Sequence, residues 1–351
     1  MINRKMYDAC KTMKGTLILI FMVVLFNYGC KKEMPIEPIN PFIEEVKVWQ
    51  KVEGNWNTDI NIENAFIRNN LLYLIADGVF MAVDSNSNLV MSTPLIHKLH
   101  PAFYYKPTFN DKYVIQVNAS GRSIFIYEIL NPQINKFIEL DNAVSISAFG
   151  QLNYKNEIAI GLQSAKIIKL TFNSVADDIN WAVDTIVSGE RASRIYAFGE
   201  NHYITGLNNW TYKFNSNTGI IQPIGEYRIS NMVECNDTLY AVLFWTTLSG
   251  DGMIYSTDNG NSWYHVISNL RLDYYSLHQV NKRLVFSYYT KMHRFHLDNI
   301  EMMYYFKEMA GRGLFEEQPY SCEINSVLKL GSHVFVSTSK GLYIKSFEDF
   351  N

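Results

Sequence analysis

The chain has 351 residues, of which 48% are apolar, 14% aromatic and 19% charged. This composition can bury a large core and excludes a disordered or collagen-like chain. The 31 basic and 34 acidic residues give a formal net charge of −3, so there is no overall positive field to hold nucleic acid or an anionic membrane. We therefore expect no nucleic-acid partner and no membrane binding through surface charge.

Residues 1–29 have the organisation of an export signal. Basic residues precede the apolar run 16–26, which is too short to span a bilayer and suits the apolar region of a signal peptide. Gly29 and Cys30 follow and resemble the cleavage site of bacterial lipoprotein signals. The resemblance implies lipidation at Cys30 and a location in the cell envelope, as an outer-membrane lipoprotein that faces the periplasm or the cell surface. An uncleaved anchor and ordinary secretion are the alternatives.

Residues 30–43 are predicted to form a tether, because three prolines among charged residues favour an extended chain. The globular body is predicted to span 44–351. Its two cysteines, Cys235 and Cys322, make no disulfide framework. Since no cysteine or histidine pair has the spacing of a zinc site, we expect neither a metal nor a cofactor.

Short runs rich in Ile, Val, Tyr and Phe recur through the body between clusters of Asn, Asp, Gly and Ser. Seven such runs are Leu72–Ala76, Tyr113–Val117, Glu157–Gly161, His202–Gly206, Leu239–Leu243, Arg283–Ser287 and His333–Ser337. Their average spacing of about 44 residues matches one four-stranded blade of a β-propeller. The sequence therefore predicts an all-β, seven-bladed β-propeller, with a six- or eight-bladed ring as the alternative.

The two ends of the body predict how the ring closes. The last unit stops after 341–346 without an outer strand, whereas residues 46–52 form a strand-like segment with no partner. We expect this N-terminal strand to complete the last blade, which would leave only short protected edges.

Residues 256–263 read Ser-Thr-Asp-Asn-Gly-Asn-Ser-Trp and match the pattern S-x-D-x-G-x-x-W. The match resembles the Asp-box, or BNR repeat, of sialidase-like and sortilin-like propellers. Ser256 and Asp258 can cap amides of a tight turn, Gly260 permits a positive φ, and Trp263 can pack between sheets. We interpret the motif as a structural hairpin rather than a catalytic or calcium site. Segments 84–88 and 215–219 are weaker versions of it.

The resemblance to sialidases also raises the hypothesis of a glycoside hydrolase. That family uses a Tyr nucleophile with a Glu partner, an Asp acid and three arginines. Its Arg-Ile-Pro signature is missing here, since residues 194–196 read Arg-Ile-Tyr. No G-x-S-x-G, H-E-x-x-H, P-loop or dinucleotide fingerprint is present. The sequence therefore favours a protein that is not an enzyme.

In a propeller, the connections between blades and the turns between the second and third strands leave the same face, where function usually concentrates. The predicted binding residues on this face are Arg122, Arg191, Arg194, Arg228, Arg271, Arg312, Trp210, Trp245, Tyr274 and Tyr288. Guanidinium and aromatic groups suit carboxylates, sulfates and sugars, and they also suit protein interfaces. The alternative is that these arginines are merely solvated and these aromatic rings fill the ends of the blades.

The functional hypothesis is a non-catalytic binding module of a membrane-anchored bacterial lipoprotein. It would recognise a glycan or an envelope protein through one propeller face, contact the membrane only through the lipid anchor and act as a monomer. The alternative is a carbohydrate-active hydrolase or lyase with a diverged site. Two carboxylates about 5 to 10 Å apart and facing the arginines would favour hydrolysis.

Overall fold

The computed structural model describes residues 49–350, apart from 55, 58–59, 77, 96–104, 119, 141–144, 176–177, 245–251, 269–275, 289–290, 297–298 and 306–322. The predicted signal peptide, the tether and Cys30 lie outside the described residues. Within the described part, 28 strands form seven four-stranded antiparallel sheets. The predicted seven-bladed β-propeller is thereby confirmed.

The blades follow one another along the chain, and the strands of each blade are given from the innermost to the outermost. Blade 1 contains β2 (Ile62–Arg68), β3 (Leu71–Ala76), β4 (Val79–Val83) and β5 (Leu89–Pro94). Blade 2 contains β6 (Thr108–Phe109), β7 (Tyr113–Val117), β8 (Ser123–Glu128) and β9 (Asn135–Glu139). Blade 3 contains β10 (Ile146–Phe149), β11 (Glu157–Leu162), β12 (Lys166–Val175) and β13 (Asp178–Ser188).

The same order is repeated in the second half of the ring. Blade 4 contains β14 (Ala192–Phe198), β15 (Asn201–Gly206), β16 (Thr211–Asn215) and β17 (Ile221–Gly225). Blade 5 contains β18 (Ile229–Cys235), β19 (Thr238–Leu243), β20 (Gly252–Ser256) and β21 (Tyr264–Ser268). Blade 6 contains β22 (Ser276–Val280), β23 (Arg283–Tyr288), β24 (Lys291–His296) and β25 (Asn299–Tyr305). Blade 7 contains β26 (Ile324–Leu330), β27 (His333–Thr338), β28 (Gly341–Ser346) and β1 (Gln50–Lys51).

Each of the seven apolar runs found in the sequence forms the second strand of a blade. Two-residue turns of the Asn-Asn and Asn-Asp type connect several first strands to these second strands. Asn69 and Asn70 have φ values of 49° and 57°, and Asn236 and Asp237 have 52° and 57°. Two successive positive φ values define the turn whose twist matches an antiparallel hairpin, and Asn and Asp tolerate it.

The N-terminal strand closes the ring, as expected. β1 pairs antiparallel with β28, with Gln50 opposite Ile344 and Lys51 opposite Tyr343. Trp49 then packs against the ring of Phe350 in an edge-to-face contact, with the centroids 6.1 Å apart. The first and last described strands therefore belong to the same blade.

The core consists of apolar layers between neighbouring blades. One layer joins the fully buried Tyr113 and Ile126 of blade 2 to Ile158 and Phe172 of blade 3. Such layers arise because successive residues of each strand alternate between its two faces, and both faces are covered by a neighbouring blade. Over the described residues, no helix is present that could cross a membrane.

The turn 256–263 connects β20 to β21 and is held by its own side chains. Ser256 Oγ accepts a hydrogen bond from Gly260 N at 2.8 Å and donates one to Asp258 Oδ1 at 2.8 Å. Asp258 Oδ1 also accepts from the backbone N–H of Ser262 at 2.8 Å. These bonds to the charged form lower the pKa of Asp258 from 3.8 to about 2. Gly260 has a φ of 75°, which explains the glycine at this position.

The weaker versions of this motif form turns by a similar device. Asp84 Oδ1 accepts from the N–H groups of Asn86 and Asn88, both at 2.9 Å. Asn215 Oδ1 accepts from the N–H groups of Asn217 and Thr218, at 3.1 and 3.0 Å. All three turns connect the third strand of a blade to its fourth.

Candidate binding face

The strand order places two kinds of connection at one end of the sheets: those between blades and those between second and third strands. We call this end the upper face. Arg122 lies between β7 and β8, Trp210 between β15 and β16, and Arg191 and Arg228 in connections between blades. Arg194 lies near the upper end of β14. Five of the predicted residues therefore share this face.

The other five predicted binding residues lie in blades 5 to 7 of the sequence. Arg271, Arg312, Trp245 and Tyr274 lie outside the described residues. Tyr288 is the last residue of β23, and only its backbone is described.

Arg191 and Arg228 hold the same position in neighbouring blades. The backbone oxygen of Arg191 accepts from Leu207 N at 3.0 Å, and that of Arg228 accepts from Phe244 N at 2.7 Å. Each bond joins the residue before the innermost strand to the residue after the second strand. Glu323 of blade 7 holds this position too, with its oxygen 2.9 Å from Ser339 N. We call these positions the rim, because they surround the inner ends of the blades.

A β-bulge lies directly inside the rim in five blades. The pairing register shifts by one residue near the upper ends of β2, β10, β14, β18 and β26. The extra residues are Glu63, Ser147, Ser193, Ser230 and Asn325. Bulges re-aim neighbouring side chains and are frequent beside functional sites.

In two of these bulges a serine hydroxyl replaces part of the interrupted backbone ladder, whereas Ser147 Oγ is buried without a hydrogen-bond partner among the described residues. Ser193 Oγ donates to the oxygen of Thr205 at 3.1 Å, and Ser230 Oγ donates to that of Val242 at 3.2 Å. The bulges were not predicted from the sequence. The repeated pairs Ile146-Ser147, Ala192-Ser193 and Ile229-Ser230 were the signal that could have revealed them.

Two predicted arginines share one aromatic ring. The guanidinium carbon of Arg228 lies 4.8 Å from the centroid of Phe244, and that of Arg194 lies 5.8 Å from it. Arg194 comes from blade 4, whereas Arg228 and Phe244 belong to blade 5. Arg228 Nε is buried and has no hydrogen-bond partner among the described residues. We call Arg194, Arg228 and Phe244 the arginine cluster.

Tyrosine hydroxyl groups fix the neighbouring blades beside this cluster. Tyr196 of blade 4 donates to the oxygen of Ser230 in blade 5 at 2.6 Å, and burial raises the pKa of Tyr196. Tyr105 donates to the oxygen of Ile146 in blade 3 at 2.5 Å. Burial raises the pKa of Tyr105, and the positive charge of Arg191 acts against that rise. The Tyr196 bond therefore joins the two blades that carry the arginine cluster, whereas the Tyr105 bond ties the connection before blade 2 to blade 3.

A second polar group, which the sequence analysis missed, lies on the other side of the rim. Lys106 Nζ donates to Asn325 Oδ1 of blade 7 at 3.1 Å. Burial lowers the pKa of Lys106, and the Glu323 carboxylate opposes this shift. Burial raises the pKa of Glu323, with Lys106 opposing it. Lys106 and Asn325 are 219 residues apart in the chain, so no local pattern could have paired them.

His278 of blade 6 completes this second group. Its Nε2 lies 2.7 Å from Ser287 Oγ, and burial lowers its pKa to about 3, with the positive charge of Lys106 adding to the shift. His278 is therefore neutral at pH 7. Among the described residues, no group of three or more His, Cys, Asp or Glu side chains could hold a metal ion.

No family model and no curated protein matches the chain. Among solved structures, a catalytically inactive virginiamycin B lyase from Staphylococcus aureus, with quinupristin, has a TM-score of 0.57 at 13% identity, covering 85% of this chain and 97% of that one. The WD40 domain of Neurospora crassa Pan2 has a TM-score of 0.54 at 12% identity, covering 85% and 95%. The extracellular domain of B. thetaiotaomicron BT4673 has a TM-score of 0.54 at 8% identity, covering 85% and 39%. These similarities show the fold alone: the chain is a β-propeller.

Proposed function

We propose that the protein is a non-catalytic recognition module that binds an anionic glycan or partner protein through its upper face. The observation that carries this proposal is the arginine cluster, in which two guanidinium groups from different blades lie over one Phe244 ring. Guanidinium groups form paired hydrogen bonds with carboxylates and sulfates. The aromatic ring beside them stabilises the cations by cation–π attraction. Arg194 Nη1 also donates to the backbone oxygen of Ser193 at 3.0 Å, which fixes one of the two guanidinium groups.

The surroundings of the cluster support a recognition role. Arg191 is exposed at the next rim position of blade 4, and Trp210 is partly exposed on the same face. The hydroxyl of Thr211, next to Trp210, donates to the oxygen of Tyr227, next to Arg228. This bond brings an aromatic residue and an arginine to the same boundary between blades. Aromatic and arginine side chains are enriched where proteins bind sugars or other proteins.

The experiment is a glycan-array and pull-down screen with the full chain, followed by titration of each captured ligand. R191A and R228A are expected to weaken binding at least about tenfold, because a charge-assisted hydrogen bond contributes roughly 1.5 to 3 kcal/mol. R283A is the matched control, since Arg283 is exposed at the start of β23 on the opposite face. Binding that survives both upper-face changes would refute the proposal.

A second candidate, a carbohydrate-active hydrolase or lyase, is favoured by Glu323 alone. A partly buried carboxyl with a raised pKa, beside Lys106, has the property of a general acid. Measuring product release from any captured glycan distinguishes the two functions. For the hydrolase or lyase, E323Q abolishes product formation and leaves binding intact; for the recognition module, the wild-type chain releases no product.

The location of the protein is also a proposal. Residues 1–29 would be removed as a lipoprotein signal peptide, Cys30 would carry the lipid, and 30–43 would tether the propeller that begins near residue 44. Radioactive palmitate labelling of cells that express the chain tests this. Cys30→Ser is expected to abolish the label and release the protein from the membrane fraction, and label that persists in this variant would contradict lipidation at Cys30.

A further inference from the structure

The outer strand of blade 3 differs from the other outer strands in length. β13 has 11 residues, whereas β5, β9, β17, β21 and β25 have between five and seven. It is the last strand in its sheet, so alternate backbone N–H and C=O groups point away from β12. An unpaired edge of this length is a template for another strand.

The side chains of β13 do not block such pairing. Proteins protect sheet edges with proline, lysine or other charges, and β5 and β17 contain Pro94 and Pro223. β13 contains neither proline nor lysine, and its one register shift, at Ile186, leaves the regular pairing over 178–185 uninterrupted. Instead it exposes Trp181 and Val183, which retain 42% and 44% of their accessible surface. These two residues lie on the same side of the strand.

Each of the two carboxylates of the strand has a lysine beside it. Asp178 forms an ion pair with Lys136 at 2.9 Å, and Asp184 forms one at 3.6 Å with Lys169, which also pairs with Glu157 at 3.6 Å. A second strand therefore meets an edge whose negative charge is reduced by these lysines. The lysines reduce repulsion of any negatively charged strand that approaches. The effect matters most for an identical strand, because its aspartates would otherwise repel the same aspartates of the first copy.

We propose that β13 pairs antiparallel with β13 of a second copy of the chain, around a two-fold axis at Val183. In this register Val183 faces its counterpart and Trp181 faces Thr185, which are aromatic and β-branched pairs that stabilise antiparallel sheets. Asp184 faces Ala182, so no two like charges are opposed. A two-fold axis makes the contact self-complementary and closed, which limits assembly to a dimer. The proposed dimer differs from the monomer that was predicted from the sequence.

The test is light scattering of the full chain over a range of concentrations. We expect a dimer that dissociates on dilution. Val183→Lys opposes two like charges at the axis and is expected to raise the dissociation constant at least about tenfold. The matched control is Val175→Lys, because Val175 is 53% exposed and lies in β12 of the same hairpin. This control is expected to change the dissociation constant less than about twofold.

Cross-linking tests the register. Val183→Cys is expected to give a disulfide-linked dimer under mild oxidation, because the two thiols meet at the axis, whereas Val175→Cys is not. A chain that is monomeric at every concentration overturns the proposal and leaves the edge to a strand of another protein. A dimer that V183K does not weaken overturns it too, by locating the interface elsewhere. Equal unfolding midpoints for V183K and V175K exclude misfolding as the cause.

Discussion

The hydroxyl group of Tyr203 in blade 4 donates a hydrogen bond to the backbone oxygen of Asn259 in blade 5, at 2.8 Å. Asn259 lies at the centre of the turn 256–263, and Trp263 at its end meets the Tyr203 ring edge to face at 6.4 Å. Lys213 Nζ donates to the same oxygen at 3.0 Å. The turn 256–263 of blade 5 is thus bound to blade 4.

Tyr203→Phe is expected to lower the free energy of unfolding by about 1 kcal/mol, because it removes one inter-blade hydrogen bond and little apolar contact. Urea denaturation followed by tryptophan fluorescence measures the change. Tyr264→Phe serves as the control, since Tyr264 is 54% exposed and its variant is expected to match the wild type. Equal losses in both variants would contradict an inter-blade role for Tyr203.

Asp258→Asn is expected to alter the response to acid. The folded state holds the pKa of Asp258 at about 2, below 3.8, so the unfolded chain binds more protons between these values. The stabilising effect of the Asp258 carboxylate is full above about pH 4 and is lost as the pH falls towards 2. The variant should lose stability at neutral pH and show a flatter decline below pH 4, measured as the urea midpoint at each pH. A decline parallel to that of the wild type would refute this assignment.

His202 is expected to destabilise the protein in mild acid. Its side chain is fully buried, and neither ring nitrogen has a hydrogen-bond partner among the described residues. Burial lowers its pKa from 6.5 to about 4, opposed by Glu157 and reinforced by Lys169. The unfolded chain therefore binds more protons between pH 6.5 and 4, and folding stability decreases across that window by about 3 kcal/mol as the pH falls.

Removing the imidazole should abolish this dependence. His202→Met replaces the imidazole with an apolar side chain that cannot titrate, and it is expected to flatten the stability profile between pH 6.5 and 4. His265→Gln is the control, because His265 is exposed and its loss should leave the profile unchanged. An acid response that persists in H202M would assign it to another group.

Trp49→Ala tests the closure of the ring. The indole packs against Phe350 and lies 5.7 Å from the ammonium of Lys345. Truncating a buried aromatic residue costs about 3 to 5 kcal/mol, so we expect roughly 2 kcal/mol for this half-buried one. Calorimetry measures the shift, with Leu130→Ala as the control because Leu130 is 70% exposed. Equal melting temperatures for the wild type and W49A would show that the closure contributes little stability.

The fold could be predicted because its signals are local and repeated. The run Leu72–Ala76 is recognisable as a buried strand from its own residues, and Asn69-Asn70 marks the turn before it. The closure could be predicted because Gly341–Ser346 lacked a following strand while a strand-like segment near Trp49 lacked a partner. Comparing the two ends of the body, each of which lacked a strand partner in the sequence, was enough to predict the closure of the ring.

The candidate site was predicted only in part. Loop position places Arg191 and Arg228 on one face, but the shared Phe244 ring depends on how two blades meet. Lys106 and Glu323 approach each other only because the ring closes. The length of β13 was not predicted either. Apolar and polar residues alternate too weakly along Asp178–Ser188 to identify a strand from the sequence alone.

The pairing of Gln50 with Ile344 has a consequence for biosynthesis. A ribosome delivers residue 50 early and residue 344 almost last, so the first strand must wait unpaired while six blades emerge. Contacts between such distant residues form late, since the entropy of closing a long loop must first be overcome. Until then the inner strand of blade 1 lacks the neighbour that β26 will provide, and the nascent chain is an open arc whose two ends are exposed to chaperones and proteases.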